Sequence, residues 1–163
     1  MNGQRDLEGL SALVTGATSG IGKASAEEIG RQGAEVIVHG RDAGRGEPVV
    51  EAITAEGGKA RFVAADLNDP AELEDVVQQV GAVDILVNNA GFSWFGPTDE
   101  LDVATLDGLF AANVRAPYFL VAALAPKMAS RGSGSIVNVG SMVGQIGLAG
   151  GAATAPPRAH LRR

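Results

Sequence analysis

Short apolar runs and amphipathic stretches alternate along the chain with little between them. Leu10 to Val14 is an apolar run that ends in a glycine-rich turn, and a helical pattern follows from Ala24 to Arg31. Ala34 to Gly40 reads as a β-branched strand and Glu47 to Glu56 as a helix. Lys59 to Ala65 gives a third strand. A helix over Pro70 to Val80 is opened by Asp69, with acids in its first turn. Ala82 to Asn88 is a fourth strand, a long helix covers about Asp102 to Ser130, and Gly134 to Gly140 is a fifth strand.

Strands that are apolar nearly throughout must be buried on both faces, so the alternation predicts an α/β protein with a parallel sheet between two helix layers. Right-handed crossovers then give a doubly wound sheet of expected order 3-2-1-4-5. Ligands in such a sheet sit outside the carboxyl ends of the strands, near the switch between strands one and four. Gly16, Asn88 and Ser141 all fall at such ends.

The first turn is Thr15-Gly16-Ala17-Thr18-Ser19-Gly20-Ile21-Gly22, a G-x-x-x-G-x-G variant of the dinucleotide spacing. Glycines here let backbone approach a phosphate, and the start of the following helix favours an anion. Gly16, Ser19, Gly20, Ile21 and Gly22 are the candidate pyrophosphate turn, with Thr15 holding its shape. A plain tight turn is the competing reading. Where folds of this type select NAD, an acid at the end of strand two takes the ribose hydroxyls. Gly40 stands there, followed by Arg41, which can pair with a 2′-phosphate; NADP(H) is therefore favoured over NAD(H). An Arg41 that only meets solvent is the alternative. His39 reads as a packing or surface residue.

The chain has 163 residues, 45% hydrophobic and 20% charged, consistent with one globular domain. A formal net charge of -6 argues against nucleic acid or an anionic membrane as main partner. Without cysteine there is no disulfide framework, and a cytoplasmic location is expected. No signal-peptide pattern and no apolar run of membrane-spanning length is apparent, and no metal site is expected.

Taken with Asn88-Asn89-Ala90-Gly91 and Gly140-Ser141, the T-G-x-x-x-G-I-G turn resembles the short-chain dehydrogenase/reductase family over roughly residues 7 to 153. The resemblance implies a Rossmann fold and hydride exchange between a nicotinamide dinucleotide and a small carbonyl or secondary alcohol. It implies that Asp66 and Leu67 contact adenine, although Asp66 could instead cap the next helix, a task for which Asp69 is better placed. Asn88 and Ala90 match positions that steady the sheet and touch ribose, while Asn89 has the look of a turn residue. Asn113 matches the asparagine that anchors a water relay, and Ser141 the serine that binds the substrate oxygen.

At the family's Tyr-x-x-x-Lys positions stand Thr154 and Arg158, with Pro156 and Pro157 between them. An aliphatic hydroxyl is too weak an acid to replace a tyrosine, and arginine keeps its proton. The only tyrosine, Tyr118, lies in the long helix. Residues 1–153 thus read as an incomplete dinucleotide-binding domain and 154–163 as an aberrant tail. Codons TAC-GGC-GCC-ACC-AAG encode Tyr-Gly-Ala-Thr-Lys; with the first base dropped and a G following, they read ACG-GCG-CCA-CCA-AGG, Thr-Ala-Pro-Pro-Arg, the residues at 154–158. A frameshift is the expectation drawn from this match.

The chain would then lack the family's C-terminal strands and most of the substrate pocket. Family members are homo-oligomers. Here an apolar face along Leu109, Phe110, Tyr118, Phe119, Leu120 and Leu124, beside an open strand edge, is expected to cause abnormal association. The favoured reading is a catalytically defective oxidoreductase core that keeps its cofactor. The alternatives are a non-enzymatic interaction module using that face, and an active reductase in which Thr154 and Arg158 replace the pair.

Overall fold

A computed structural model describes residues 6–141. Five parallel strands form one sheet of order β3-β2-β1-β4-β5, as the alternation requires. They are β1 (Ser11–Val14), β2 (Glu35–Gly40), β3 (Lys59–Ala64), β4 (Ile85–Asn88) and β5 (Ser135–Asn138). The helices are α1 (Gly20–Arg31), α2 (Ala43–Ala55), α3 (Pro70–Val80), α4 (Val103–Phe110) and α5 (Ala116–Arg131).

Side chains alternate across the sheet, and each face has its own core. Leu13, Ile37, Val63 and Leu86 point to one face, where α3 brings Leu73, Val76 and Val80 and α5 brings Leu120, Leu124 and Met128. Val14, Val36, Val38 and Val87 point to the other, against Ala26 of α1 and Val49 and Ile53 of α2. β1, between β2 and β4, is buried from Ala12 to Val14.

Several boundaries differ from the pattern reading. α1 starts at Gly20, because the glycine turn runs directly into helix before the apolar periodicity begins. α2 starts at Ala43 rather than Glu47. Gly44 and Gly46 are poor helix formers and hide its first turn, but a Cβ at Gly46 would stand 2.0 Å from the Phe62 ring. α3 has the expected bounds, with the Asp69 carboxylate accepting from the Ala71 and Glu72 amides.

The long helix is not uniform. Ala111–Arg115 forms a π turn in which the Ala116 amide reaches the Ala111 carbonyl. Pro117 has no N–H to give Asn113, so the ordinary ladder cannot continue there and the turn widens. The combined stretch Val103–Arg131 is long and apolar enough to cross a bilayer by length and composition, contrary to the sequence reading. Its buried face nevertheless packs on the sheet through Leu120, Leu124 and Met128.

The expected apolar face also needs correction. Leu109, Leu120 and Leu124 are fully buried, the last two in the core between α5 and the sheet. Phe110, Tyr118 and Phe119 remain half exposed, the last two edge to face with ring centroids 5.4 Å apart. Among the described residues β5 is an edge strand, with Val137 47% exposed.

Candidate functional site

Three connections meet at the carboxyl ends of β1, β4 and β5. The turn after β1 needs its glycines for different reasons. Gly16 has φ +63°, and a Cβ on it would stand 2.8 Å from Ala90 Cα. Gly22 has no room: its Cβ would stand 2.3 Å from the Gly16 oxygen and 2.4 Å from Asn89 Nδ2. Gly20 has φ +55° with open space where a Cβ would go. The turn is therefore packed from below and open above, at the start of a twelve-residue helix.

The start of α1 has no side-chain cap. Ser19 precedes it with extended backbone and makes no side-chain cap, and its first turn carries no acid. The first amides of a helix have no partner within it, and with the helix dipole they favour negative charge. Ser19 and Gly20 are exposed, and Ile21 is 65% exposed at the mouth of the turn. These residues fit a diphosphate.

Thr15 and Asn89 lock the turn to β4. The buried Thr15 hydroxyl accepts from the Asn89 and Ala90 amides, both at 3.0 Å, and donates to the Val87 carbonyl. Asn89 Nδ2 donates to the carbonyls of Thr15 (3.1 Å) and Gly16 (3.2 Å). Asn89 is thus more than a turn residue: it fastens the two motifs together. Asn88 lies level with Asn138 of β5 and donates to its Oδ1 at 2.9 Å, while Asn88 Oδ1 is buried and unpaired. Two asparagines at one register on adjacent apolar strands were the sequence signal for this pair.

The polypeptide beyond β4 is held by Asn113. From the π turn, its Oδ1 accepts from the Phe92 amide at 3.1 Å and its Nδ2 donates to the Phe92 carbonyl at 2.9 Å. Both ends of this buried amide are used on one residue. Ser141, beyond β5, is exposed. Thr154 and Arg158 lie outside the described residues.

On the other side of the turn, the adenine candidates follow β3. The Asp66 side chain accepts from the Asn68 amide at 3.0 Å, closing a local turn, and Asp69 rather than Asp66 caps α3. Leu67 is buried in the core, and the Arg115 guanidinium donates to the Asn68 carbonyl. Gly40 is buried, with the Thr18 methyl occupying the place of its missing side chain (2.4 Å from a built Cβ), and Arg41 is exposed immediately after it.

His39 was not recognised from sequence as part of this region. It is buried, and its Nδ1 accepts from the Gly16 amide at 3.4 Å while Nε2 lies 3.2 Å from the Ala65 carbonyl. Burial pushes its pKa down to about 4, opposed by the Ala65 carbonyl and the Asp66 charge. No group of His, Cys, Asp and Glu among the described residues is arranged to hold a metal.

A family model described as short chain dehydrogenase matches residues 11–155. An uncharacterized oxidoreductase of Thermotoga maritima is 37% identical over 145 residues, covering 88% of this chain and 58% of the relative. The solved structure of a metagenomic short-chain oxidoreductase in complex with NADP superposes with a TM-score of 0.85 at 40% identity, covering 91% of this chain and 69% of that one. A 7α-hydroxysteroid dehydrogenase complexed with NADH and 7-oxo glycochenodeoxycholic acid gives 0.87 at 31% identity, covering 93% and 61%. The chain thus spans about three fifths of the length of the relatives it matches.

Proposed function

The chain belongs to the short-chain dehydrogenase/reductase family, and on that premise we propose that it is a nicotinamide-dinucleotide-binding core of oxidoreductase descent that holds NADP(H) in preference to NAD(H) and is defective in turnover. The observation that carries the binding half is the glycine turn, packed against Asn89 and Ala90 from below and open at Gly20 above the uncapped start of α1. In this reading Gly16, Ser19, Gly20, Ile21 and Gly22 seat the pyrophosphate, Asp66 and Leu67 the adenine, and Asn88 and Ala90 the ribose side. A nicotinamide bound there would supply the hydride exchanged with a small carbonyl or secondary alcohol. Ser141 would hydrogen-bond the substrate oxygen, and Asn113 would keep the Phe92 segment beside the pocket in place.

The preference for NADP(H) rests on Arg41, exposed beside the side-chain-free Gly40, which sets no carboxylate at the end of β2 against a 2′-phosphate. The matched structures hold NADP in one case and NADH in the other, so the preference draws on this residue and not on them. The defect rests on Thr154 and Arg158 at the acid–base positions; losing such a group forfeits roughly 10²–10⁴ in rate. A one-base shift in the coding DNA ahead of Thr154 is part of the proposal, and sequencing that DNA tests it.

The deciding experiment titrates the 163-residue chain with NADPH and NADH, following the single tryptophan, Trp94, and calorimetric heat, alongside an assay with simple ketones and aldehydes. Saturable binding, tighter for NADPH and without turnover, is expected. Absence of saturable binding overturns the cofactor reading, and turnover at ordinary enzymatic rates overturns the defect.

A further inference from the structure

His39 is the one ionisable side chain among the fully buried described residues, and it sits directly behind the turn that carries Gly16. Both ring nitrogens are engaged by backbone. An N–H of Gly16 points at Nδ1, so Nδ1 must offer a lone pair. Nε2 faces the Ala65 carbonyl, so Nε2 must carry the proton. These two partners accept one tautomer only, the neutral ring protonated at Nε2. The His39 backbone adds a third tie, its carbonyl accepting from the Ala17 amide at 2.8 Å.

We propose that His39 is a positioning residue that holds the Gly16 turn in its phosphate-seating shape through Nδ1, and that protonating its ring releases the turn and weakens dinucleotide binding in acid. The consequence for binding rests on the cofactor reading above; the coupling between His39 and Gly16 does not. A proton on Nδ1 would set two donors, the ring N–H and the Gly16 N–H, against each other. Gly16 is the residue with the freedom to turn away, because its left-handed backbone is held by neighbours and not by a side chain of its own. Movement there displaces the Gly16 carbonyl, which packs against Gly22 and receives the Asn89 amide. The same ring spans to Ala65, so the pyrophosphate turn and the segment leading to Asp66 are braced against each other through one imidazole.

The charges on the adjoining elements leave His39 as the titrating group. Residues 15–22 contain no ionisable side chain. From the segment after β3, Asp66 acts on the ring and favours its charged form, but burial outweighs it and holds the pKa near 4. Glu72 of α3 accepts from the Asp66 amide, and Arg115 of the π turn donates to the Asn68 carbonyl. Arg41, two residues along from β2's His39, is exposed.

The test uses the ¹⁵N-labelled 163-residue chain, wild type, His39→Gln and His39→Leu. The chain holds two histidines, His39 and His160, so the resonance lost in His39→Gln identifies the ring. Without cofactor, the His39 ring is expected to stay in the Nε2–H tautomer from pH 7 down to about pH 5, and the Gly16 amide signal to move with the ring's own midpoint. In His39→Gln, which keeps an acceptor, the Gly16 amide should no longer titrate.

Calorimetry with NADP⁺ supplies the second arm. Wild type should bind about twofold more weakly at pH 4, where about half the rings are charged, than at pH 6.5, beyond the change seen in His39→Gln, whose ligand titrates identically. At pH 6.5 the glutamine variant should bind within a few-fold of wild type and the leucine variant at least about tenfold more weakly. A Gly16 amide indifferent to the His39 titration overturns the proposal, as does a leucine variant that binds like wild type. If wild type binds no NADP⁺ at all, the cofactor reading fails, and the amide titration still decides the coupling.

Discussion

Gly22 lies directly beneath Gly16, so near that a methyl group on position 22 would stand 2.3 Å from the Gly16 carbonyl oxygen. The contact is backbone on backbone, and neither side can swing aside as a flexible side chain would. Gly22→Ala should therefore cost about 1–3 kcal/mol of stability through overpacking and lower NADPH affinity by tenfold or more. Gly20→Ala makes the instructive contrast. Its Cβ meets nothing within 4 Å, so stability should fall by only about 1–2 kcal/mol for the left-handed backbone, while the added methyl intrudes on the open side where phosphate would lie. Urea unfolding and nucleotide titration of both variants separate the two cases: a Gly22→Ala variant of wild-type stability would contradict the packing argument.

Arg41 is exposed at the end of β2, so any pairing with a 2′-phosphate is exposed to solvent and salt. Arg41→Ala should weaken NADPH binding by about five- to tenfold and leave NADH binding unchanged. The wild-type advantage for NADPH should also shrink as salt is raised. A loss that is equal for both nucleotides would mean that Arg41 supports the fold of the loop and does not read the phosphate.

Asn113 spends its whole side-chain amide on the backbone of Phe92. Removing it takes these partners away from the Phe92 N–H and carbonyl. Asn113→Ala should cost about 1–3 kcal/mol, and the emission of Trp94, two residues along from Phe92, should shift to the red as the segment loosens. Asn113→Asp keeps the acceptor for the Phe92 amide but sets a carboxylate oxygen against the Phe92 carbonyl, and should be no better. An alanine variant of wild-type stability and unchanged Trp94 emission would remove Asn113 from this role.

The sheet order was legible because β-branched strands alternate with helices and leave few topologies open. α3 was legible to the residue because Asp69 and Pro70 mark its start with specific chemistry. α2 was cut short because Gly44 and Gly46 score against helix, while the reason for glycine at 46 is the Phe62 ring of β3. The same limit governs the site. The glycine turn and the N-N-A-G turn can be read from spacing, since each is a local backbone requirement. That Asn89 bolts one to the other, and that His39 stands behind Gly16, depends on contacts between residues far apart in the chain. The apolar helix face was misjudged where Leu109, Leu120 and Leu124 were grouped with Phe110, Tyr118 and Phe119, because successive helical positions such as Phe119 and Leu120 diverge, one exposed and the next buried.

Asp84 gathers the opposite end of the sheet. One carboxylate oxygen accepts from both the amide (2.9 Å) and the hydroxyl (3.0 Å) of Ser11, and the other accepts from Arg131 at 3.1 Å. The Ser11 amide is the main reason its pKa lies below the ordinary aspartate range. Its stabilising contribution is therefore present above the ordinary range and is lost as pH falls through the lowered value. Because the group is only partly buried, Asp84→Asn should cost only about 1 kcal/mol. Nucleotide affinity should not change, since the amino ends of the strands lie away from the glycine turn. A tenfold loss of affinity in this variant would mean that the two ends of the sheet are coupled.

His39 gives the acid limb of the stability curve a sign that can be fixed in advance. In the folded chain burial keeps the ring neutral to about pH 4, whereas the unfolded chain takes up a proton near 6.5. Between those values the unfolded state binds more protons, so stability must fall as pH is lowered through the window and level off beneath it. The full span corresponds to roughly 3 kcal/mol, an upper figure because the folded ring can admit water. Comparison of wild type with His39→Gln isolates this contribution. Urea midpoints from pH 7 to pH 4 should converge for the two proteins as pH falls, with the wild type steeper. Parallel curves would mean that the folded ring takes its proton as readily as the unfolded one, and that the bonds to Gly16 and Ala65 place no constraint on its charge.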